Sequence, residues 1–184
     1  MRERYAYSLA GLAAAVVMAS AASADINLNF QEVGYFQGNF DPQFDAPLVG
    51  QIDTIVGDFQ LDEGENFTYA DDLAILIANE SLTEVLFQVG GYTSYANIMS
   101  PDTNLGHFSW EFGGGAAPGT VGGGTVDVGG IDVTGWYLYL GHGYGAGGEG
   151  FWSGSIDFQG SVVPAPGAIA LFGLAGFAAR RRRA

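Results

Sequence analysis

The chain has 184 residues, with 6 Lys+Arg against 20 Asp+Glu, no cysteine and a formal net charge of −14. The six basic residues are Arg2, Arg4 and Arg180 to Arg183, so everything between residues 25 and 163 carries nineteen acids and no lysine or arginine. That body has no basic patch with which to bind nucleic acid or anionic lipid, no lysine or arginine for surface ion pairs, and no thiol for a disulfide frame or a cysteine nucleophile.

In chain order, Arg2 and Arg4 precede an apolar run, Leu9 to Ala19, and then Ala22-Ser23-Ala24 before Asp25. A basic start, a short apolar core and an A-x-A site form a secretory signal peptide, with cleavage by signal peptidase expected between Ala24 and Asp25. The expected organisation is a leader over 1–24, one β domain over 25–162 and a sorting tail over 163–184.

Asp25 to Gln31 alternates, with Ile26, Leu28 and Phe30 on one face, and predicts a half-buried strand. Gly34 to Asp45 reads as an aromatic loop, with turn signals at Gly38-Asn39 and Asp41-Pro42. Pro47 to Phe59 is extended, and Asp62 to Asn66 forms an acidic turn. Leu73 to Ala78 is short, apolar and bounded by turn chemistry, which predicts a buried strand. Glu84 to Val89 is another, and Tyr92 to Ile98 a further one. After a turn over Pro101 to Gly106, His107 to Phe112 reads as a short strand and Gly113 to Gly124 as a glycine-rich connector. Thr125 to Ile131 is broken by Gly129-Gly130. Trp136 to Leu140 is a strand, Gly141 to Gly150 a glycine loop, and Phe151 to Val162 the closing strand. Many short strands without a convincing helix predict an all-β fold, an antiparallel β-sandwich of jelly-roll type.

Phe67-Thr-Tyr-Ala-Asp-Asp-Leu-Ala-Ile-Leu-Ile resembles a strand of the P-domain jelly rolls that follow subtilisin-like proprotein convertases. Gly135-Trp-Tyr-Leu-Tyr-Leu and the segment Gly150 to Phe158 resemble the closing hairpin of that family. The resemblance implies the fold and no activity.

The tail runs Val163-Pro164-Ala165-Pro166-Gly167, then apolar residues from Ala168 to Ala179, then Arg180, Arg181, Arg182 and Arg183. The apolar part reaches roughly 18 Å as a helix, and counting back to Val162 brings it near a bilayer core of roughly 30 Å. The arginines would stay on the cytoplasmic side. In this order the three parts resemble a PEP-CTERM sorting signal, with Ala165 where the family motif has Glu. The resemblance implies an exosortase as partner, processing near Pro164 to Pro166, and a membrane-held stage.

Candidate chemistry within the body is sparse. Asp71 and Asp72 supply hard oxygen ligands at a strand start and are the candidate Ca²⁺ ligands. Asp41, Asp45, the Asp62/Glu63/Glu65 cluster and the Asp127/Asp132 pair are weaker candidates, and no EF-hand spacing is present. His107 and His142 lack the spacing and partners of a zinc site, and Ser153 is not in a nucleophile elbow, so no catalytic residue is assigned. Tyr35, Tyr92, Tyr95, Tyr144, Phe151 and Trp152 could form a sugar-stacking platform. The sequence therefore points to an exported cell-surface or extracellular-matrix protein, structural or adhesive and not an enzyme. A carbohydrate-binding module for exopolysaccharide is the alternative, and a secreted hydrolase the third possibility.

Overall fold

A computed structural model describes residues 25–110, 121–145 and 147–165. The expected leader over 1–24 and most of the expected sorting tail, including Pro166 and the four arginines, lie outside the described residues. No helix among the described residues is long and apolar enough to cross a membrane.

The fold is all-β, built from two sheets that share one core. The first sheet is antiparallel and contains β1 (Ile26–Phe36), β4 (Gln51–Gly64), β8 (Val121–Asp132) and β10 (Glu149–Gly160), in the order β1-β10-β4-β8. The second contains β2 (Phe40–Pro42), β5 (Leu73–Ala78), β6 (Val85–Val89), β7 (His107–Phe108) and β9 (Tyr137–His142), in the order β2-β9-β5-β6-β7. The β6–β7 pairing is parallel, as is the isolated bridge between Gln37 and His142. A separate two-stranded ladder joins β3 (Leu48–Val49) to β11 (Val163–Pro164).

Alternation decides which residues face inward. One cross-strand row of the first sheet carries Ile26, Phe158, Ile55 and Val126, and all four are buried. The neighbouring row carries Asn27, Asp157, Val56 and Thr125 on the outer face. From the second sheet, Leu73, Ile75, Ile77, Phe87, Val89, Leu138 and Leu140 join the same cluster. β5 is buried at all six positions because its two faces serve different layers. Leu73, Ile75 and Ile77 meet the first sheet, while Leu76 and Ala78 pack with Val85, Ala96 and Tyr139 in a second cluster. Each such large side chain contributes about 1.5–3 kcal/mol of burial.

Glycines in the strands make room for rings. Phe59 and Trp110 meet edge to face at 5.2 Å. A Cβ on Gly57 would stand 2.8 Å from Phe59 Cε1, and one on Gly122 would stand 2.7 Å from Phe59 Cε2. The run Gly122-Gly123-Gly124 is thus part of β8, and not of a connector as its composition suggests.

Several other segments depart from the sequence reading. β1 continues to Phe36 and β2 follows, so much of Gly34 to Asp45 is strand. β4 runs on through Asp62 and Glu63 to Gly64, and the turn begins only at Glu65. Tyr92 to Ile98 is not a strand: helix α1 occupies Tyr95–Met99. Gln88, fully buried on β6, fixes that helix. Its Oε1 accepts from Tyr95 N at 2.8 Å and Ala96 N at 3.3 Å, and its Nε2 donates to Gly90 O and Thr93 O. Ser94 Oγ adds a cap by accepting from Asn97 N. The His107 strand is only two residues long among the described residues.

The two ends of the sandwich are chemically distinct. Ile26, Phe158 and Ile55 lie toward one end, while Phe36, Glu149 and Gly64 lie toward the other. Asp25 and the β3–β11 ladder belong to the first end. The loops after β4, β6 and β9 belong to the second.

Candidate functional site

The second end is assembled around a single 3-10 turn, Ala70–Asp72. Asp72 Oδ2 accepts from Tyr69 N at 2.8 Å, and Asp72 N donates to Tyr69 O at 3.1 Å, which closes the turn on itself. The backbone carbonyls of the turn then hold two other loops. Gly91 N donates to Asp71 O at 2.8 Å and Gly143 N donates to Asp72 O at 2.7 Å. Thr93 N donates to Gly143 O, and Gly145 N to Thr93 Oγ1, so the two loops also hold each other. Glycine is required at 91: its φ is +75°, and a Cβ there would lie 2.7 Å from Gly143 Cα.

Between these loops lies a cleft of about 270 Å³ lined by Tyr69, Asp71, Asp72, Gly90, Gly91, Tyr92, Ser109 and Trp110. Trp110 is fixed by its indole, whose Nε1 donates to Leu73 O at 2.8 Å. Tyr92 stands at the lip, 81 % exposed, and meets Tyr144 edge to face at 5.4 Å.

Behind Asp72 is His142. The sequence reading puts this histidine in a glycine loop; it is the last residue of β9 and has no exposure. Its Nε2 lies 3.8 Å from Asp72 Oδ2, its ring stands 5.3 Å from that of Trp152, and among the described residues neither ring nitrogen has a hydrogen-bond partner. Gly147 closes over it, since a Cβ there would be 2.7 Å from His142 Cε1. His107 is separate: its Nε2 sits 2.9 Å from Gly90 O and 3.1 Å from Gly91 O, bracing the corner that lines the cleft.

The two candidate calcium ligands thus line one cleft but are bonded to different elements. Asp71 Oδ1 accepts from Gly123 N at 3.2 Å, while Asp72 turns toward Tyr69 N and His142. Among the described residues no three His, Cys, Asp or Glu side chains gather as a metal set. Asp127 and Asp132 cap their own turns, accepting from Gly129 N and Thr134 N. The bonds from Thr134 hold the Asp132 carboxyl below the usual range.

The six aromatic candidates do not form one platform. Tyr35 and Trp152 are core residues with rings 6.3 Å apart. Tyr95 packs against Phe40 at 5.2 Å, and Phe151 lies over Gly34. Tyr92 and Tyr144 alone stand together at the loop end. Sequence reasoning did not single out Tyr69, Trp110 or Gln88.

A second concavity lies on the outer face of the first sheet, about 590 Å³, lined by Asn29, Phe30, Gln31, Glu32, Gln60, Asp62, Ser153 and Gly154. A bulge between Phe30 and Val33 puts Glu32 at a φ of +49°. Ser153 Oγ donates to Asp62 Oδ2 and accepts from Glu32 N at 2.9 Å. The hydroxyl proton faces a carboxylate with no imidazole beside it, so Ser153 ties two strands together and lacks the base of a nucleophile.

No protein-family model, no curated protein and no solved structure matches this chain.

Proposed function

We propose that the chain is an exported, non-catalytic protein of the cell surface or extracellular matrix, a jelly-roll-like β-sandwich held at one end and making contacts with the other. The reading takes the leader to be removed after Ala24 and the tail to be handled by an exosortase near Pro164 to Pro166. One structural observation carries it. Asp25 and Ala165, the two exits of the body, lie at one pole, tied by Gly160 N to Asp25 Oδ1 and by Ala165 N to Pro47 O. The cleft and the exposed Tyr92 lie toward the opposite pole: Asp71 bonds Gly123, which pairs with Asp58, seven residues along β4 from Gln51 and roughly 23 Å away at about 3.3 Å per residue. An anchored adhesive module needs this polarity: attachment behind, contact surface in front.

The body's charge supports an exterior setting. Without lysine or arginine, its carboxylates repel one another unless salt or bound cations screen them. Calcium, if it acts here, acts on that background with Asp71 and Asp72 as its ligands.

The test is expression of the full chain in a host with an exosortase and in the same host without one. The expected product is a surface-held or released protein beginning at Asp25 and shortened at the tail only when the exosortase is present. Recovery of the uncut chain from the cytosol overturns the reading.

A further inference from the structure

We infer that the cleft at the far pole is a binding site for an organic ammonium group carried on a sugar ring, that is, for an amino sugar. This deepens the contact-end reading and rests on it.

The charge of the ligand follows from the walls. Asp71 and Asp72 line the cleft. No lysine or arginine stands anywhere between residues 25 and 165 to neutralise them. A sulfate, phosphate or uronate would meet carboxylates without any fixed counter-charge, so an anion is rejected. Asp72 is nearly buried and its Oδ2 accepts from Tyr69 N, so Asp71, the more open of the two, is the carboxylate that a cation in the cleft meets. Attraction between that carboxylate and an entering ammonium favours a cation over an anion.

The aromatic side chains refine the choice. Tyr69, Tyr92 and Trp110 border the same space, and ring faces attract ammonium groups, with best effect where water is excluded. Tyr92 is exposed, yet braced by Tyr144, so it offers a flat face at low ordering cost. A lysine tip needs only the carboxylates. A pyranose ring uses the tyrosine face as well, and the exposed Ser109 offers a hydroxyl partner. The volume, about 270 Å³, suits one small ring.

The experiment titrates the full-length chain with glucosamine, N-acetylglucosamine and Nα-acetyl-lysine methylamide, followed by amide chemical shifts. Glucosamine is expected to bind about tenfold or more tightly than the N-acetylated sugar, with affinity falling as salt rises. Tyr92→Ala and Asp71→Asn are each expected to weaken it by about tenfold, and neither removes a buried contact of the core. Equal binding of the amine and the amide overturns the inference. So does equal binding of the lysine derivative, or no shift with glucosamine at millimolar concentration. Export and tail processing are scored separately, so either reading can fail while the other stands.

Discussion

His142 Nε2 stands 3.8 Å from Asp72 Oδ2 in a fully buried setting, yet the histidine makes no hydrogen bond and the aspartate does. The two residues therefore differ in what their loss costs. Asp72→Ala removes the acceptor that closes the 70–72 turn and leaves Tyr69 N unpaired, which is expected to cost about 1–3 kcal/mol. His142→Leu removes two nitrogens that bond nothing and should cost less than Asp72→Ala. Urea denaturation of the two variants checks the order, and the reverse order would show that the imidazole has a partner.

Gln88 is the second stability test. One fully buried amide side chain receives two helix N–H groups and donates to two loop carbonyls. Gln88→Leu keeps the bulk and strands those groups, at about 1–3 kcal/mol for the worst of them. The expected signature is local as well as global: amide exchange at Tyr95 and Ala96 should accelerate more than at β4.

Gly154 and Gly129 separate collision from backbone strain. Both have positive φ, +147° and +77°. A Cβ on Gly154 would lie 2.5 Å from Phe59 Cα, whereas one on Gly129 meets nothing within 4 Å. Gly129→Ala is expected to cost about 1–2 kcal/mol, from the left-handed conformation alone. Gly154→Ala adds a clash with a neighbouring strand and should lower the melting temperature further. Paired thermal melts give the difference.

Tyr35 sets the alkaline limit. Burial, reinforced by the negative charge of Asp41 and only partly opposed by a hydrogen bond with Gln43, pushes its phenol up to about 12 from 10.0. A raised folded value means the native state holds the proton longer than the unfolded chain does. The associated stability is complete below pH 10 and is lost as pH rises toward 12. Tyr35→Phe should flatten that part of the stability–pH curve, measured by denaturation at fixed salt, and should remove one member from the group of late-titrating phenols that Tyr35 forms with Tyr95 and Tyr139, which burial also raises.

The calcium reading has its own test. If Asp71 and Asp72 take Ca²⁺, millimolar calcium raises the melting temperature above matched Mg²⁺ and salt controls, and Asp71→Asn abolishes the excess. An identical response to both metals retires the reading and leaves only charge screening.

Much of the sheet framework was legible because alternation is a local property. Ile26, Leu28 and Phe30 mark β1, and the unbroken run Leu73 to Ala78 marks a strand covered on both sides. The helix at Tyr95–Met99 was not legible, since its first two N–H groups are satisfied by Gln88, a residue of the preceding strand. Nor was the position of His142: glycines on both sides suggest a loop, but Gly141 is glycine because Phe40 crosses it, with a Cβ there 2.6 Å from the Phe40 ring. The cleft shows the same split. Asp71, Asp72 and Tyr92 stand out by residue type, whereas Trp110 joins them through its indole bond to Leu73 O and Tyr69 through the turn that Asp72 closes.

Val163 and Pro164 pair with Val49 and Leu48, so the first half of the tail motif is stitched into the folded body. Any protease that accepts this stretch as an extended substrate must first unzip that short ladder. Ripping it away exposes Leu48 and Val162, both fully buried in the intact fold. Cleavage rate and fold integrity at this pole would then be coupled, and a loosened ladder, as with Val49→Pro, would be trimmed faster than the parent.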